Sequence, residues 1–220
     1  MPLKEEAIKR DIVDQLTWDD RVDASRIAVT VDDGSVILTG SVPTPYAREA
    51  ATKDAKSVPG VATVENQLTV EIVEPGPSDA ELEERMRKVL EWNPTFDADR
   101  ITVSSRNGIV TLTGSVDAAW KKFEAEDRLL DLAGVVDIIN ELTVVPSKST
   151  TDELIADDIR ATIDRRADVN IEDIDIEVDS GVVTLSGAVP TWSARHAAME
   201  AARYTLGVTA VHDEVVVMSP

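Results

Sequence analysis

The chain repeats one pattern three times, and this repeat limits the possible folds more than any other feature of the sequence. The segment GSVILTGSV at 34–42 returns as GIVTLTGSV at 108–116 and as GVVTLSGAV at 181–189. The second segment starts 74 residues after the first, and the third starts 73 residues after the second. Because the apolar positions around them keep the same offsets, each copy is predicted to be one supersecondary unit of about 70 residues.

Two short breaks separate the copies. The sequence EPGP at 74–77 interrupts the apolar pattern before the second copy, and SKS at 147–149 does so before the third. Clusters of Pro, Gly and Ser between periodic segments are typical of loops. We therefore predict three domains, over residues 1–73, 78–146 and 150–218, with the two breaks as linkers.

Each copy carries the same series of local signals. Apolar residues at helical spacing come first, as at Ile8, Ile12 and Leu16. Alternating apolar residues around an Asp-Gly, Asn-Gly or Ser-Gly pair then predict a β-hairpin, and an alanine-rich helix and a last strand follow. A β-α-β crossover makes its two strands parallel. The sequence therefore predicts an α+β fold of three tandem αββαβ domains, each a three-stranded mixed sheet with two helices on one face.

Some single residues carry further expectations. Gly40 and its equivalents have the parity of core residues, and we expect them to let a helix backbone come close. Gly60 and its equivalents are expected to form the left-handed C-cap of the second helix. The sequence SDAE from Ser78 predicts a capping box, and Trp18 and Trp92, at the end of the first helix, are expected to pack against the protein.

The repeated motif resembles the BON domain (bacterial OsmY and nodulation). The matching features are G-x-V-x-L-x-G-x-V, a helix, and then G-V-x-x-V-x-N-x-L-x-V, which reads GVATVENQLTV at 60–70. The third copy departs from the pattern with Asp213 at the Asn position. The resemblance implies a non-enzymatic module of osmotic-stress and cell-envelope proteins. It also implies anionic phospholipid binding, envelope integrity or chaperone-like roles, and, for a BON domain joined to a LysM domain, potassium binding.

The composition excludes several kinds of chemistry. The chain has no cysteine, which excludes disulfides and thiol catalysis. Its two histidines, His196 and His212, both lie in the third copy, and a partial calcium-loop spacing at 168–172 lacks the required glycine. We expect no catalytic residue, no cofactor and no metal site. The formal net charge of −20 also disfavours a nucleic-acid partner.

Aromatic and basic residues meet where the second helix of each copy begins. Rings next to cations suit a membrane interface or a protein partner, and the alternative is that the rings cover the start of the helix. The predicted binding residues are Tyr46, Arg48, Trp120, Lys121, Lys122, Trp192 and Arg195.

A polar residue recurs on the last strand at a core-facing position, as Asn66, Asn140 and Asp213. Buried polar side chains need hydrogen-bond partners. We predict a structural bond from the strand to a nearby loop, and a ligand contact is the alternative.

Three functions remain open from the sequence. The first is a non-catalytic binding or scaffold protein of the osmotic or envelope-stress type, which binds a macromolecular partner or a phospholipid surface. The alternative is a cytoplasmic, ion-responsive protein that binds potassium, and a purely structural assembly module is a third interpretation. The sequence does not give the oligomeric state.

The location is predicted from the absence of targeting signals. No apolar run is long enough for a transmembrane segment, and no signal peptide is visible at the start of the sequence. We therefore expect a cytoplasmic protein, or a periplasmic one if a native signal peptide has been removed.

Overall fold

The computed structural model describes residues 2–71, 76–148, 150–165 and 174–218, and within them the αββαβ order is confirmed in all three copies. A short 3-10 turn precedes β1 and another precedes β4. The first domain contains α1 (Pro2–Trp18), β1 (Ile27–Asp32), β2 (Ser35–Val42), α2 (Pro45–Ser57) and β3 (Thr63–Val70). The second contains α3 (Asp79–Trp92), β4 (Ile101–Arg106), β5 (Ile109–Val116), α4 (Ala119–Asp127), β6 (Asp137–Asn140) and β7 (Thr143–Val144). The third contains α5 (Asp152–Asp164), β8 (Ile174–Asp179), β9 (Val182–Val189), α6 (Trp192–Tyr204) and β10 (Ala210–Val217).

Each domain has a mixed sheet whose middle strand is the second strand of the hairpin. In the first domain, β1 and β2 are antiparallel and Val29 pairs with Leu38, while β2 and β3 are parallel and Leu38 pairs with Asn66. The same pairing holds in the other two domains, where β6 and β7 together take the place of one last strand in the second. The predicted mixed sheet is confirmed.

The three domains keep three separate, mainly aliphatic cores. Each core joins the apolar stripe of the first helix, the inward residues of the hairpin and the small residues of the second helix. The contact between neighbouring cores is limited: Ala119 of the second domain belongs to the core of the third, and Val144 packs against both cores. The repeat therefore builds three small cores that touch rather than one merged core.

Side-chain caps account for the starts of most helices. The predicted capping box is present: the Ser78 hydroxyl accepts from the Glu81 N–H, and the Glu81 carboxylate accepts from the Ser78 N–H. Thr44 and Thr191 cap α2 and α6 in the same way. Ala118 offers no capping oxygen to α4, which runs for nine residues where α2 and α6 run for 13.

Acidic residues at the start of the first helix hold the hairpin turns, a role that the sequence analysis missed. The Asp79 carboxylate accepts hydrogen bonds from the backbone N–H groups of Asn107 (2.9 Å) and Gly108 (3.1 Å), which lower its pKa. Asp152 accepts from the corresponding turn of the third domain. These turns have positive φ at both central residues, as at Asn107 (52°) and Gly108 (75°), which is typical of a type I′ turn.

Both glycine expectations are wrong in detail. A Cβ at Gly40 would lie 2.0 Å from the carbonyl oxygen of Arg26, so this glycine admits the backbone that enters β1 and not a helix. Helix α2 ends at Ser57 with Val58 as its extended C-cap. Gly60, with a φ of 94°, therefore belongs to the turn beyond the helix.

The expectation that Trp18 and Trp92 pack against the protein is also wrong. Their rings are 87% and 85% exposed, because α1 and α3 end at these residues and carry them past the core. Some predicted features lie outside the described residues. They are the partial calcium-loop spacing at 168–172, the end of the first predicted domain at 73, and the linker positions 74, 75 and 149.

The described helices were also compared with the length and hydropathy of a membrane span. None of them is both long and apolar enough to cross a bilayer.

Candidate binding cleft between the domains

The second helix of each domain meets the next domain through its first turn. The Tyr46 N–H donates to the carbonyl oxygen of Leu130 over 3.3 Å, which joins the first domain to the second. The Trp120 ring stacks on Tyr204 with centroids 5.9 Å apart, which joins the second to the third. The indole N–H of Trp192 donates to the carbonyl oxygen of Val61 over 3.2 Å, which joins the third back to the first.

These contacts use corresponding parts of the repeat. In each pair, the start of one second helix lies against the end of another, at or near the equivalent positions Lys56, Leu130 and Arg203. Head-to-tail contacts of this kind generate a closed ring when the rotation between units returns to the first. The three domains therefore form a ring with α2, α4 and α6 at its inner contacts.

A cation accompanies each contact. Arg48 of the first domain pairs with Asp137 of the second at 2.8 Å. The guanidinium carbon of Arg203 lies 3.8 Å from the ring centroid of Phe123. The ammonium of Lys56 lies 4.3 Å from the ring centroid of Trp192, in the range of a cation–π interaction.

The structure divides the predicted binding residues into three groups. Tyr46, Arg48 and Trp120 are half-buried at contacts between domains. Lys121 pairs with Asp117 of its own domain at 2.7 Å, and the Lys122 carbonyl oxygen accepts a hydrogen bond from Asn140. Trp192 and Arg195 lie together on α6 beside an open cleft, with their cation–π distance at 5.0 Å.

A cleft between α2 and α6 is the candidate binding site. It has a volume of about 980 Å³. From α2 it is lined by Glu49, Lys53 and Lys56, and from α6 by Trp192, Arg195, His196 and Arg203. The sequence analysis singled out Trp192 and Arg195 but missed the two lysines and Arg203. Lys53 stands at one position of the repeat, and Lys56 and Arg203 stand at another. Neither of these two positions carries a cation in all three copies.

Burial and neighbouring charges shift the pKa values of two side chains that line the cleft. Burial lowers the pKa of Lys56, and the positive charge of Arg195 lowers it further. Glu49 reaches solvent in the cleft, yet partial desolvation, followed by repulsion from Asp127 and Glu126 of α4, raises its pKa. Acidic groups therefore crowd the side of α2 that faces α4, and positive charge collects on the side that faces α6.

The recurring polar residue of the last strand connects that strand to the second helix. Asn66 donates to the carbonyl oxygen of Arg48 over 2.9 Å, and Asn140 donates to that of Lys122 over 2.7 Å. The partner is a helix, where a loop was expected. A carboxylate cannot donate, and Asp213 instead accepts from the Arg195 guanidinium over 2.9 Å, which fixes this arginine at the wall of the cleft.

A second cluster of titratable groups lies in the first domain alone. Asp54 on α2 is buried near Asp19, whose carboxylate is held by Arg21. Burial and then the charge of Asp19 raise the pKa of Asp54 to about 6. The hydrogen bond from Arg21 lowers the pKa of Asp19 to about 2. Arg128 and Ala201 stand at the equivalents of Asp54, so the other domains lack this pair.

Together the fold and the cleft define a tandem-repeat α+β protein whose domains close on one another. The chain belongs to the BON domain family: the family profile matches residues 4–72, 78–146 and 151–219, which covers most of the chain in three consecutive copies.

Individual proteins are similar to this chain to different degrees. It is 26% identical over 145 residues to "Osmotically-inducible protein Y" of Escherichia coli (strain K12), covering 64% of this chain and 72% of that protein. Among solved structures, the C-terminal domain of CdsD, a structural protein of the type III secretion system of Chlamydia trachomatis, is 14% identical, with 95% of this chain and 96% of that one covered and a TM-score of 0.27. The PrgH periplasmic domain is 16% identical, with coverage of 94% and 99% and a TM-score of 0.23. Scores this low carry no argument about fold or function, and the expected cytoplasmic location gains no support from these relatives.

Proposed function

We propose that this chain is a non-catalytic binding protein of the osmotic or envelope-stress type that attaches to a phospholipid surface. Its membership of the BON domain family and its similarity to an osmotically inducible protein support the stress role. The family resemblance to envelope proteins also makes the periplasmic alternative the location that we carry forward.

The observation that carries the proposal is the exposure of two large aromatic rings. Trp18 and Trp92 occupy equivalent positions in the first two domains and are 87% and 85% exposed. Arg165, also exposed, stands at the equivalent position of the third domain. Tryptophan and long cationic side chains are the groups that suit a membrane–water interface, because each has an apolar body and a polar end.

The ring arrangement makes these three positions act together. Equivalent positions in a closed head-to-tail ring are related by rotation about its axis. Trp18, Trp92 and Arg165 accordingly lie at the same level along the axis of the ring, and the proposed attachment requires that all three side chains face the membrane. Simultaneous contact turns weak single-site binding into useful avidity.

Flotation with vesicles tests this function. The full chain is mixed with vesicles of phosphatidylglycerol and phosphatidylcholine at low and at physiological salt, and the floated fraction is measured. We expect the wild-type chain to float, and the double variant W18S/W92S to lose most of its binding at both salts. Much of the interfacial affinity lies in the apolar rings, which salt does not screen.

The control removes an exposed apolar side chain at a different place. Leu154 is also exposed, at 57%, near the start of α5, and L154S should float as the wild type does. If the wild-type chain floats at neither salt, or if L154S loses as much binding as the double variant, the proposed attachment through the tryptophans is wrong.

The potassium alternative stays a prediction. Among the described residues, no group of three or more His, Asp or Glu side chains is arranged to hold a metal ion. Melting curves in KCl and NaCl at equal ionic strength test it, since a ligand that binds the folded state raises the midpoint.

A further inference from the structure

We propose that the cleft between α2 and α6 binds a small phosphate-bearing anion, which is held mainly by Lys56 and the start of α6 and which bridges the first and third domains. This inference does not depend on attachment to a lipid surface, because the cleft lies between domains and uses none of the exposed tryptophans.

The charge of the cleft is opposite to that of the molecule. The chain has 42 acidic and 22 basic residues, yet Lys53, Lys56, Arg195 and Arg203 gather around one opening. Two acids, Glu49 and Asp213, line the same cleft. Positive charge concentrated in a concave site raises the local concentration of anions.

Lys56 is one of the cleft cations for which the described residues provide no ion pair. Its ammonium lies over the Trp192 ring at 4.3 Å, and the guanidinium of Arg195 lies over the same ring at 5.0 Å. Arg195 is neutralised by Asp213 at 2.9 Å. Within the described residues, Lys56 forms no ion pair with a carboxylate, although it is half-buried. A half-buried ammonium whose own pKa is lowered by its surroundings gains from an anionic ligand.

The start of α6 supplies a second attraction for an anion. Thr191, Trp192 and Ser193, which begin this helix of 13 residues, line the cleft. The Thr191 hydroxyl already accepts from the Ala194 N–H, and the first turn of the helix carries the positive end of the helix dipole at the wall of the cleft. A lysine ammonium facing a helix start is a combination that suits phosphate.

Arg203 adds a third, independent sign of an incomplete site. Its guanidinium lies on the Phe123 ring, and its Nε is buried without a hydrogen-bond acceptor among the described residues. The cleft that Arg203 lines has a volume of about 980 Å³. That volume falls within the size of sites that hold a small organic ligand, so a phosphate ester fits as well as the bare ion.

Thermal unfolding of the full chain with inorganic phosphate or glycerol phosphate, against chloride at equal ionic strength, tests the proposal. Phosphate strengthens apolar burial in any protein, so the variants K56Q and K88Q are measured beside the wild type. Lys88 lies on α3 and pairs with Glu84, away from the cleft. We expect saturable stabilisation of the wild type and K88Q, and an affinity about tenfold weaker in K56Q, as for the loss of one charge-assisted contact.

Phosphorus NMR gives a second readout that does not require unfolding. Wild-type protein should broaden the resonance of glycerol phosphate, and K56Q should broaden it much less while its far-UV circular dichroism stays that of the wild type. Equal affinities of K56Q and the wild type, or no saturable binding at all, would overturn the proposal.

Vesicle flotation of K56Q distinguishes a free phosphate ester from a lipid headgroup as the ligand. If K56Q loses soluble phosphate but still floats with vesicles, the cleft takes a free phosphate ester and lipid attachment is separate. Loss of both in K56Q would make the headgroup phosphate the source of the ligand. Wild-type flotation without any saturable binding of soluble phosphate would overturn the inference and leave the proposed function intact.

Discussion

The contact between the second and third domains differs from the contact between the third and the first, although both use the start of one second helix against the end of another. At the former, Trp120 stacks on Tyr204 with 14° between the ring planes. At the latter, Trp192 is covered by the cations Lys56 and Arg195 beside an open cleft. One contact is closed by aromatic packing, and the other keeps charge next to an opening.

This difference shows that a repeated fold does not have to repeat its interfaces. The register of the sheet and the position of the second helix are set by apolar residues that recur in every copy. The residues at the helix ends do not recur: Lys56, Leu130 and Arg203 stand at one position. The equivalent backbones of the three domains therefore close the ring. The side chains that differ decide which contact between domains can hold a ligand.

The largest effect is expected from removal of the stacked ring at the closed contact. W120A should lower the free energy of unfolding by about 2 kcal/mol, because it exposes apolar area and ends the stacking. W192A should cost about 1 kcal/mol, since this ring borders an open cleft. Urea unfolding measures both, with the exposed Trp18 as the control position, where W18A should stay within about 0.5 kcal/mol of the wild type. A larger loss for W192A than for W120A would reverse the comparison.

The next effect concerns the buried acid on α2, the helix that forms one wall of the cleft. The pKa of Asp54 is raised to about 6, so the folded state binds its proton more tightly than the unfolded state does. The stability that depends on this proton is complete below the ordinary pKa near 4 and is lost as the pH rises through about 6. At pH 7 the charged, buried carboxylate lowers the stability of the protein.

D54N should therefore raise the free energy of unfolding at pH 7 by about 1–2 kcal/mol. It should also remove the fall in stability between about pH 4 and pH 6. Urea unfolding at several pH values checks both effects, with the exposed acid Asp20 as the D20N control. Asp19 acts in the opposite direction: its pKa is lowered to about 2, so its contribution is lost only as the pH falls toward that value. An unchanged pH profile in D54N would show that this carboxyl is not the group that titrates.

The fold of each domain could be predicted from the sequence because its signals are local and repeated. The Asn107-Gly108 pair fixes a turn, and the spacing of Ile8, Ile12 and Leu16 fixes the buried side of a helix. Asn66 could be assigned to the core side, but its partner, the Arg48 carbonyl oxygen, could not. The partner depends on how closely the helix crosses the strand, which no periodicity records.

The cleft could be predicted only in part, because it depends on contacts between copies. Trp192 and Arg195 stand out as an aromatic–basic pair, but Lys56 comes from the domain at the other end of the chain. Trp192 also begins α6 one position earlier than the equivalent of Tyr46 and Trp120. The ring brings these residues together through contacts between domains, and the residue spacing within one copy does not predict such contacts.

The smallest effect is expected at Glu49, an acid on the wall of the cleft. Its pKa is raised by partial desolvation and by Asp127 and Glu126, so its charge opposes folding as the pH rises above its ordinary range. Because the side chain also reaches solvent, screening reduces the effect of its charge. E49Q should therefore raise the free energy of unfolding at pH 7 by only about 0.3 kcal/mol.

The same substitution should strengthen phosphate binding about twofold, because it removes a negative charge near Lys56 at a distance where solvent screens most of the repulsion. Titration of E49Q with glycerol phosphate measures this change, and E141Q, at an exposed residue of the second domain, is the matched control. Weaker binding in E49Q would mean that Glu49 contacts the ligand as an acceptor. The cleft between α2 and α6 would then recognise a ligand that carries hydrogen-bond donors. Positive charge alone would no longer explain how this contact differs from the aromatic contact between the second and third domains.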